Sequence, residues 1–466
     1  MIAALACLLP LATAQEPVEA APPRGIVLVL VDDLGWIDLS CQGSTWYETP
    51  HIDRLASEGV RFTRAYAAAA ICSPTRAAVQ TGRHPARVGI TDWIRARFQG
   101  GALPADGQNP SGYVEREEPK VDTPRNPLWM EREEQTIAEL LGDDWARAYV
   151  GKWHLGLDDW YPEHQGYDLN FGGCDFGQPP SYFDPYDTGR QGGIPNLPGR
   201  REGEYLTDRE ADECVGFLRE HAEEPFFLMW APYAVHTPIQ AKPELTEAWR
   251  AREGSEGRNA KYAAMIQSLD EGVGRMLDTL DELGLAEDTL IVFTSDNGGL
   301  QGPTDNAPLR QGKGHPYEAG IRVPFLVRWP AAVPPGVESE EIVGSVDVLP
   351  TLLEAAQRPL PAVELDGLSL LAHLRSGARR GLERERPGFV WHFPHYRSRD
   401  IPPYSILRLD EWKLLYWWEG ARSELYNLES DPYEQNDRAQ AEPERAERMR
   451  VALMEELARL GAKLPR

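Results

Sequence analysis

Cys72-Ser73-Pro74-Thr75-Arg76 is the sharpest chemical signal in the chain. A cysteine that opens a helix beside an arginine has two reasons to ionise, because the helix N-terminus and the guanidinium both favour the thiolate. Taken alone, a cysteine before a helix is structural more often than reactive, so its company must decide. Asp32-Asp33 and Asp296-Asn297-Gly298-Gly299 supply three carboxylates and one amide. These are hard oxygen ligands with no thiolate or imidazole among them, a set that suits Ca2+ or Mg2+ rather than Zn2+. Either motif alone would pass for turn residues after a strand. In Gly151-Lys152-Trp153-His154, the lysine and histidine stand at i and i+2 of an extended segment and point to one side, where both can face one anion. His236-Thr237-Pro238 places an imidazole after a strand, and Gly312-Lys313-Gly314-His315 puts a lysine in a glycine-rich loop.

The elements around these residues give them a common address. Gly25 to Val31 is a short β-branched apolar run that ends at Asp32-Asp33. Phe226 to Trp230, Leu290 to Thr294 and Val323 to Val327 repeat the design. Helical patterns lie between, at Glu133 to Leu141, Thr207 to Glu220 and Lys261 to Leu283. Strands alternating with helices predict an α/β sheet with helices on both faces. In such sheets ligands bind beyond the carboxyl ends of the strands, where the acids and amides fall. Residues 100–127 and 176–201, rich in Gly, Pro, Asp and Tyr, read as long surface loops over the site. Beyond Pro359 the character changes: aromatic strand-like pieces, then a charged helix from about Glu442 to Leu460. This predicts domains at 25–360 and 361–466, the second an antiparallel sheet with one helix.

Composition narrows the partners. The chain has 466 residues and a formal charge of −25. That balance disfavours nucleic acid, which needs a basic footprint, and anionic membranes. An anionic substrate would have to be drawn by a local cluster of cations or by a metal. No run approaches the ~18–20 apolar residues of a membrane span. Ile2 to Ala14, ending Ala12-Thr13-Ala14, reads as a secretory signal peptide over 1–14, which places the protein outside the cell or in the periplasm. Five cysteines, of which Cys7 leaves with that segment, exclude a disulfide-built scaffold and allow one bridge at most among Cys41, Cys174 and Cys214.

Together the motifs resemble the formylglycine-dependent sulfatases of the alkaline phosphatase superfamily. The C-x-P-x-R pattern at Cys72, continued by Thr81-Gly82-Arg83, is similar to the family signature, whose cysteine is oxidised after synthesis to formylglycine. The resemblance spans Gly25 to Asp437 and takes in Gly166-Tyr167-Asp168 and Glu424-Leu425-Tyr426-Asn427-Leu428. It implies an α/β fold: a large mixed sheet sandwiched by helices, with a smaller C-terminal α+β domain. It implies Ca2+ held by Asp32, Asp33, Asp296 and Asn297, with the residue formed from Cys72 as a further ligand. Lys152 would contact sulfate, His154 would hold the aldehyde hydrate, and Arg76 would fix it. His236 would protonate the leaving alcohol, and Lys313 would grip sulfate and leaving oxygen. A hydrate offers two hydroxyls on one carbon, one to attack sulfur and one whose lost proton, expected at His154, expels the sulfate. His315-Pro316 and Ala319 depart from the family pattern, which puts the pocket wall in question and leaves His315 within reach of substrate.

The implied partners are a sulfated carbohydrate or aryl sulfate and a formylglycine-generating maturation enzyme. Asp92, Trp93, Arg95 and Arg97, with Trp391 to Arg397, are the aromatic and arginine stretches that suit sulfated sugars. Two rival readings share the same residues: a phosphonate or phosphate ester hydrolase, and a catalytically silent glycan-binding homologue with an unconverted thiol.

Overall fold

The computed structural model describes residues 21–466 except 97–103, 105, 106, 119, 190, 191, 198 and 387. The signal-peptide reading of 1–14, Cys7 and the Arg97 assignment therefore lie outside the described residues. The strands are β1 (Gly25–Val31), β2 (Val60–Tyr66), β3 (Tyr113–Val114), β4 (Thr123–Pro124), β5 (Ala146–Gly151), β6 (Leu169–Phe171) and β7 (Phe226–Ala231). They continue with β8 (Thr289–Ser295), β9 (Phe325–Arg328), β10 (Val337–Gly344), β11 (Gly388–Phe393), β12 (Tyr404–Leu409), β13 (Trp412–Trp417) and β14 (Arg422–Asn427).

Eight strands form one mixed sheet in the order β10-β2-β9-β8-β1-β7-β5-β6. At its centre β1 runs parallel to both β7 and β8. All seven residues of β1 are buried, as its unbroken apolar run demands, because a central parallel strand is covered on both faces. Its side chains alternate between two cores. Val27, Val29 and Val31 pack with the helices Leu206–Glu220 and Ala260–Glu282. Ile26, Leu28 and Leu30 pack with Cys72–Thr81, Ile137–Leu141, Val348–Ala355 and Leu371–Arg375. Three parallel strands, β1, β7 and β8, thus end at the same rim, and β5 joins them by pairing parallel to β7.

Three local expectations are corrected. The strand expected over Val323 to Val327 begins at Phe325 and runs antiparallel to β8 and β2, because Pro324 has no N–H for the ladder. The helix expected from Glu133 begins at Ile137. Thr136 caps it: its hydroxyl accepts from the Glu139 N–H at 3.3 Å, and the Glu139 carboxylate accepts from the Thr136 N–H at 2.8 Å. The segment 176–201 is more than a surface loop. Phe176, Tyr182, Tyr186, Ile194 and Leu197 are buried in the core of the large sheet, and those aromatic and aliphatic areas outweigh the Gly and Pro around them.

The meander β11-β12-β13-β14 forms a second, antiparallel sheet. One face, with Ile406 and Leu415, packs on Tyr66, Ile71, Cys72 and Tyr317 of the large unit. The other, with Leu407, Leu414 and Leu425, is covered by Met449, Leu453 and Leu457 of helix Pro443–Arg459. Polar groups fix the seam: the buried Lys413 ammonium lies 3.0 Å from Glu318 and 2.7 Å from Glu434. Cys41, Cys72, Cys174 and Cys214 are all free thiols.

Candidate active site

Six of the residues picked from the sequence meet as three buried ion pairs at the carboxyl ends of the central strands. Asp32 and Asp33 follow β1, and Asp296 and Asn297 follow β8, its parallel partner, so one sheet register brings the two motifs together across more than 260 residues. The Lys152 ammonium lies 2.7 Å from Asp32 Oδ2, and Lys313 Nζ lies 2.6 Å from Asp33 Oδ1. Arg76 Nε and Nη2 both lie 2.8 Å from Asp296 Oδ2, while its Nη1 donates to the Lys152 carbonyl at 2.6 Å. Asn297 Nδ2 donates to Asp33 Oδ1 at 2.8 Å.

The backbone sets these groups out at some cost. Asp33 and His154 adopt left-handed φ values of 62° and 60°, a conformation that costs a non-glycine residue of order 1 kcal/mol or more. Gly151, just before Lys152, has φ 95°, and a Cβ there would lie 2.2 Å from the Ala231 carbonyl oxygen. Only glycine lets β5 hand Lys152 to the rim so close to β7.

Cys72 is the first residue of a ten-residue helix whose side chains are all buried. The residues after it hold the helix in place. Ser73 Oγ donates to the His154 carbonyl at 3.0 Å and accepts from the Ile94 N–H at 3.0 Å. Thr75 Oγ1 accepts from the Ala69 N–H at 3.0 Å. Pro74 sits in the first turn, where a missing N–H costs nothing. Arg76, Lys313 and Asp92 all lie near enough to feel charge on Cys72.

The two histidines are held differently. His154 Nε2 lies 2.7 Å from the Ile94 carbonyl, which requires the hydrogen on that nitrogen and leaves the buried Nδ1 without a partner. Burial, then Lys152 and Arg76, hold its imidazole well below the usual histidine range, so it is neutral. His236 Nδ1 lies 2.9 Å from the Thr237 carbonyl, and its Nε2 lies 3.5 Å from Asp33 Oδ2. Burial lowers His236 as well, with Asp33 opposing.

The acids are unevenly matched. Burial pushes Asp32 well up against the pull of Lys152, with Asp296 and Asp33 adding to the rise. Burial also works to raise Asp33, but His236, Lys313 and Lys152 outweigh it and hold that carboxyl low. Burial disfavours charge on Lys313, but Asp33 and the other anions hold the ammonium firmly protonated. Asp32 Oδ1, Asp33 Oδ2 and Asn297 Oδ1 are buried and lack any hydrogen-bond donor. Buried acceptor oxygens without donors, on residues gathered at the ends of β1 and β8, fit a hard divalent cation. Ligand atoms of Asp32, Asp33 and His236 lie within 4.8 Å of one another. Asp296, the fourth expected ligand, is beside them, but its oxygens already accept from Arg76 and from the Asp33 N–H at 3.3 Å.

Sequence reasoning missed two neighbours. Glu210 is buried among the acids: burial, with Asp32 adding, pushes it up to about 8. It sat unmarked in a charged helical stretch. The Tyr182 hydroxyl lies 2.6 Å from the Tyr233 carbonyl and 2.8 Å from the His236 carbonyl, bracing the turn that carries His236. His315 is half-buried, its Nδ1 3.3 Å from the Lys313 carbonyl.

Comparison with known proteins agrees in both sequence and shape. A family model described as Sulfatase matches residues 24–358, and one described as N-sulphoglucosamine sulphohydrolase, C-terminal, matches 312–463. A sulfatase of Formosa agariphila is 30% identical over 487 aligned residues, covering 90% of this chain and 85% of its own. Human arylsulfatase A is 34% identical over 434 residues, covering 86% and 76%. The crystal structure of Ps i-CgsB in complex with k-i-k-neocarrahexaose superposes with a TM-score of 0.75 at 28% identity, over 94% of this chain and 92% of that one.

Proposed function

The chain belongs to the sulfatase family and is a sulfuric ester hydrolase, and we propose that it releases sulfate from sulfated carbohydrate with Cys72 matured to formylglycine and Ca2+ in the acid cluster. One observation carries this reading: Lys152, Lys313 and Arg76, all buried, converge on Asp32, Asp33 and Asp296 beside Cys72. Asp32, Asp33 and Asn297 would hold the ion through their unpartnered oxygens, with Asp296 adjoining. The ion would lower the pKa of a bound hydroxyl and clamp developing negative charge. The aldehyde hydrate would supply the nucleophilic hydroxyl.

The chain's own residues do the rest. Lys152 and Lys313, both buried, would supply positive charge to the sulfate oxygens, an electrostatic contribution aimed at the transition state. Arg76 keeps Asp296 and the Lys152 backbone in register. His154, fixed as the Nε2–H tautomer, offers the free Nδ1 as the atom that takes a proton. His236 would donate to the departing alcohol from Nε2 only as the imidazolium, because in the neutral ring the hydrogen sits on Nδ1 against the Thr237 carbonyl; burial opposes that charge and Asp33 favours it. The small sheet closes the rim near Cys72 with Tyr404 and Trp391. Among the described residues no helix is long and apolar enough to cross a membrane. Export through the segment 1–14, and the domain division near residue 360, belong to the same proposal.

The test is intact-mass analysis after co-expression with a formylglycine-generating enzyme. Cys72 should lose two hydrogens and exchange sulfur for oxygen. Hydrolysis of 4-nitrophenyl sulfate should exceed that of 4-nitrophenyl phosphate, and Cys72→Ala should abolish it while leaving the fold intact. An active Cys72→Ala variant refutes the mechanism, and a preference for the phosphate ester favours the phosphate or phosphonate hydrolase.

A further inference from the structure

At the rim of the site stand two groups of opposite charge that the reaction chemistry above does not use. Asp92 is half-buried, and burial pushes its carboxyl up to about 7, with Cys72 adding to the rise and the Trp93 N–H, Arg397 and Arg95 opposing it. Its backbone is clamped by Asn126, whose Oδ1 accepts from the N–H of Thr91 at 3.2 Å and of Asp92 at 3.0 Å, and whose Nδ2 donates to the Asp92 carbonyl at 3.0 Å. One carboxylate oxygen accepts from the Trp93 N–H at 2.8 Å. Arg397 comes from the small unit. Its side chain lies across Gly314, next to Lys313: a Cβ at that glycine would be 3.1 Å from Arg397 Nε. Gly314 also has φ 84°, so it is doubly a glycine position. Tyr404 feels both Asp92 and Arg397, and Thr91 Oγ1, beside Asp92, lies 2.8 Å from His395 Nε2, two residues before Arg397. Among the described residues no ion pair joins Asp92 to Arg397, and no hydrogen bond engages the Arg397 guanidinium.

An ionised carboxylate only accepts hydrogen bonds, its protonated form can also donate one, and a guanidinium only donates. The sulfate of a substrate would be repelled by ionised Asp92, and Lys152, Lys313 and Arg76 already supply positive charge for it. A hydroxyl, donor and acceptor at once, satisfies the carboxyl in either form together with the guanidinium. We infer that Asp92 and Arg397 form the subsite for the leaving alcohol and read a free hydroxyl on the carbon next to the sulfated one. The substrate is then a pyranose sulfate with an unsubstituted vicinal hydroxyl. A uronate carboxylate or second sulfate at that position would be repelled by Asp92 above about pH 7, where it is ionised, and an aryl or steroid alcohol would leave both groups unpaired. This deepens the hydrolase reading and rests on it.

The test is a cycle between protein and substrate. The probes are the 2-, 3-, 4- and 6-O-sulfates of methyl galactopyranoside and methyl glucopyranoside. The best of them is then compared with its analogue carrying hydrogen in place of the neighbouring hydroxyl, and with 4-nitrophenyl sulfate. Asp92→Ala and Arg397→Ala should each lower kcat/KM on the hydroxyl-bearing sugar, mainly through KM, by about 10- to 100-fold, the range for hydrogen bonds to charged groups. The same variants should lose at least tenfold less on the deoxy analogue. Equal losses on both sugars, or faster wild-type cleavage of a vicinal disulfate than of the monosulfate, overturn the subsite. Hydrolysis of 4-nitrophenyl sulfate with no cleavage of any sugar also overturns it. A wild type silent on every sulfate ester, 4-nitrophenyl sulfate included, overturns the hydrolase reading itself and the subsite with it.

Discussion

Glu210→Gln tests the electrostatics of the site without touching a group that meets substrate. Glu210 is 1% exposed on the helix Leu206–Glu220. Its Oε1 accepts from the Tyr233 N–H at 3.3 Å, and its Oε2 has no partner. Burial, with Asp32 adding, raises it from 4.5 to about 8. The folded chain therefore keeps a proton that the unfolded chain loses above its ordinary pKa. Between those values the folded state binds more protons, so stability falls as pH rises, by at most ~1.4 kcal/mol per pH unit. Integrated over the span, that is roughly 5 kcal/mol, fully developed above the folded value and absent below the unfolded one. Glutamine keeps the acceptor for Tyr233 and cannot ionise, so the variant lacks this slope. A chain of this size gains or loses roughly 1 °C of midpoint per kcal/mol. Thermal midpoints in chelator, compared at pH 5 and pH 8.5, where about 4 kcal/mol of that span develops, should show the wild type falling behind Glu210→Gln by roughly 4 °C. Parallel midpoints across the range would refute the placement of a protonated acid beneath Asp32.

Two further outcomes follow from the same geometry. Lys152→Ala and Lys313→Ala should each lower kcat on 4-nitrophenyl sulfate by ~10²–10³, the range for losing one preorganised donor to transition-state charge. A loss under tenfold would remove that lysine from the sulfate. Ca2+ at about a hundred times its Kd should stabilise the wild type by ~2.7 kcal/mol, read as a midpoint rise of roughly 2–3 °C, and Asn297→Ala should shrink that rise. An unchanged midpoint in both proteins would show that the three free oxygens hold no ion.

Which residues come together was legible where a motif ends a buried strand or opens a helix, as Asp32, Lys152, Asp296 and Cys72 do, and less so for Lys313, which lies in a loop. Such positions fix where a side chain must emerge, whatever its distant partner. The partners themselves were not legible. Asp296 accepts from Arg76 and from the Asp33 N–H, pairings that close over 220 and 263 residues of chain and that no local pattern announces. Glu210 looked like one more acid on an amphipathic helix, because periodicity shows the buried face only where that face is apolar. Residues 176–201 read as surface from their Gly and Pro content, and Tyr182 shows why that fails: one buried aromatic ties the segment down and braces the His236 turn. Arg397 approaches Gly314 only because β11 and β12 seat the small sheet against the helix that Cys72 begins.

How an acidic chain draws an anion then reduces to local arithmetic. With Asp32, Asp33 and Asp296 ionised, three carboxylates face Lys152, Lys313 and Arg76, and the cluster has no net attraction for sulfate. Each lysine is engaged by an acid, and Asp32 is still pushed upward by burial, so the acids are short of positive charge rather than in excess of it. On the proposed reading, a divalent ion on the three free oxygens would add two positive charges and compete with the lysines for Asp32 and Asp33. It would satisfy the acids and release ammonium charge for substrate. Ion and sulfate ester would then strengthen each other's binding by one common factor, since coupling between two sites is reciprocal. The buried pairs would hold the lysines in place, neutralised, until both ligands are present.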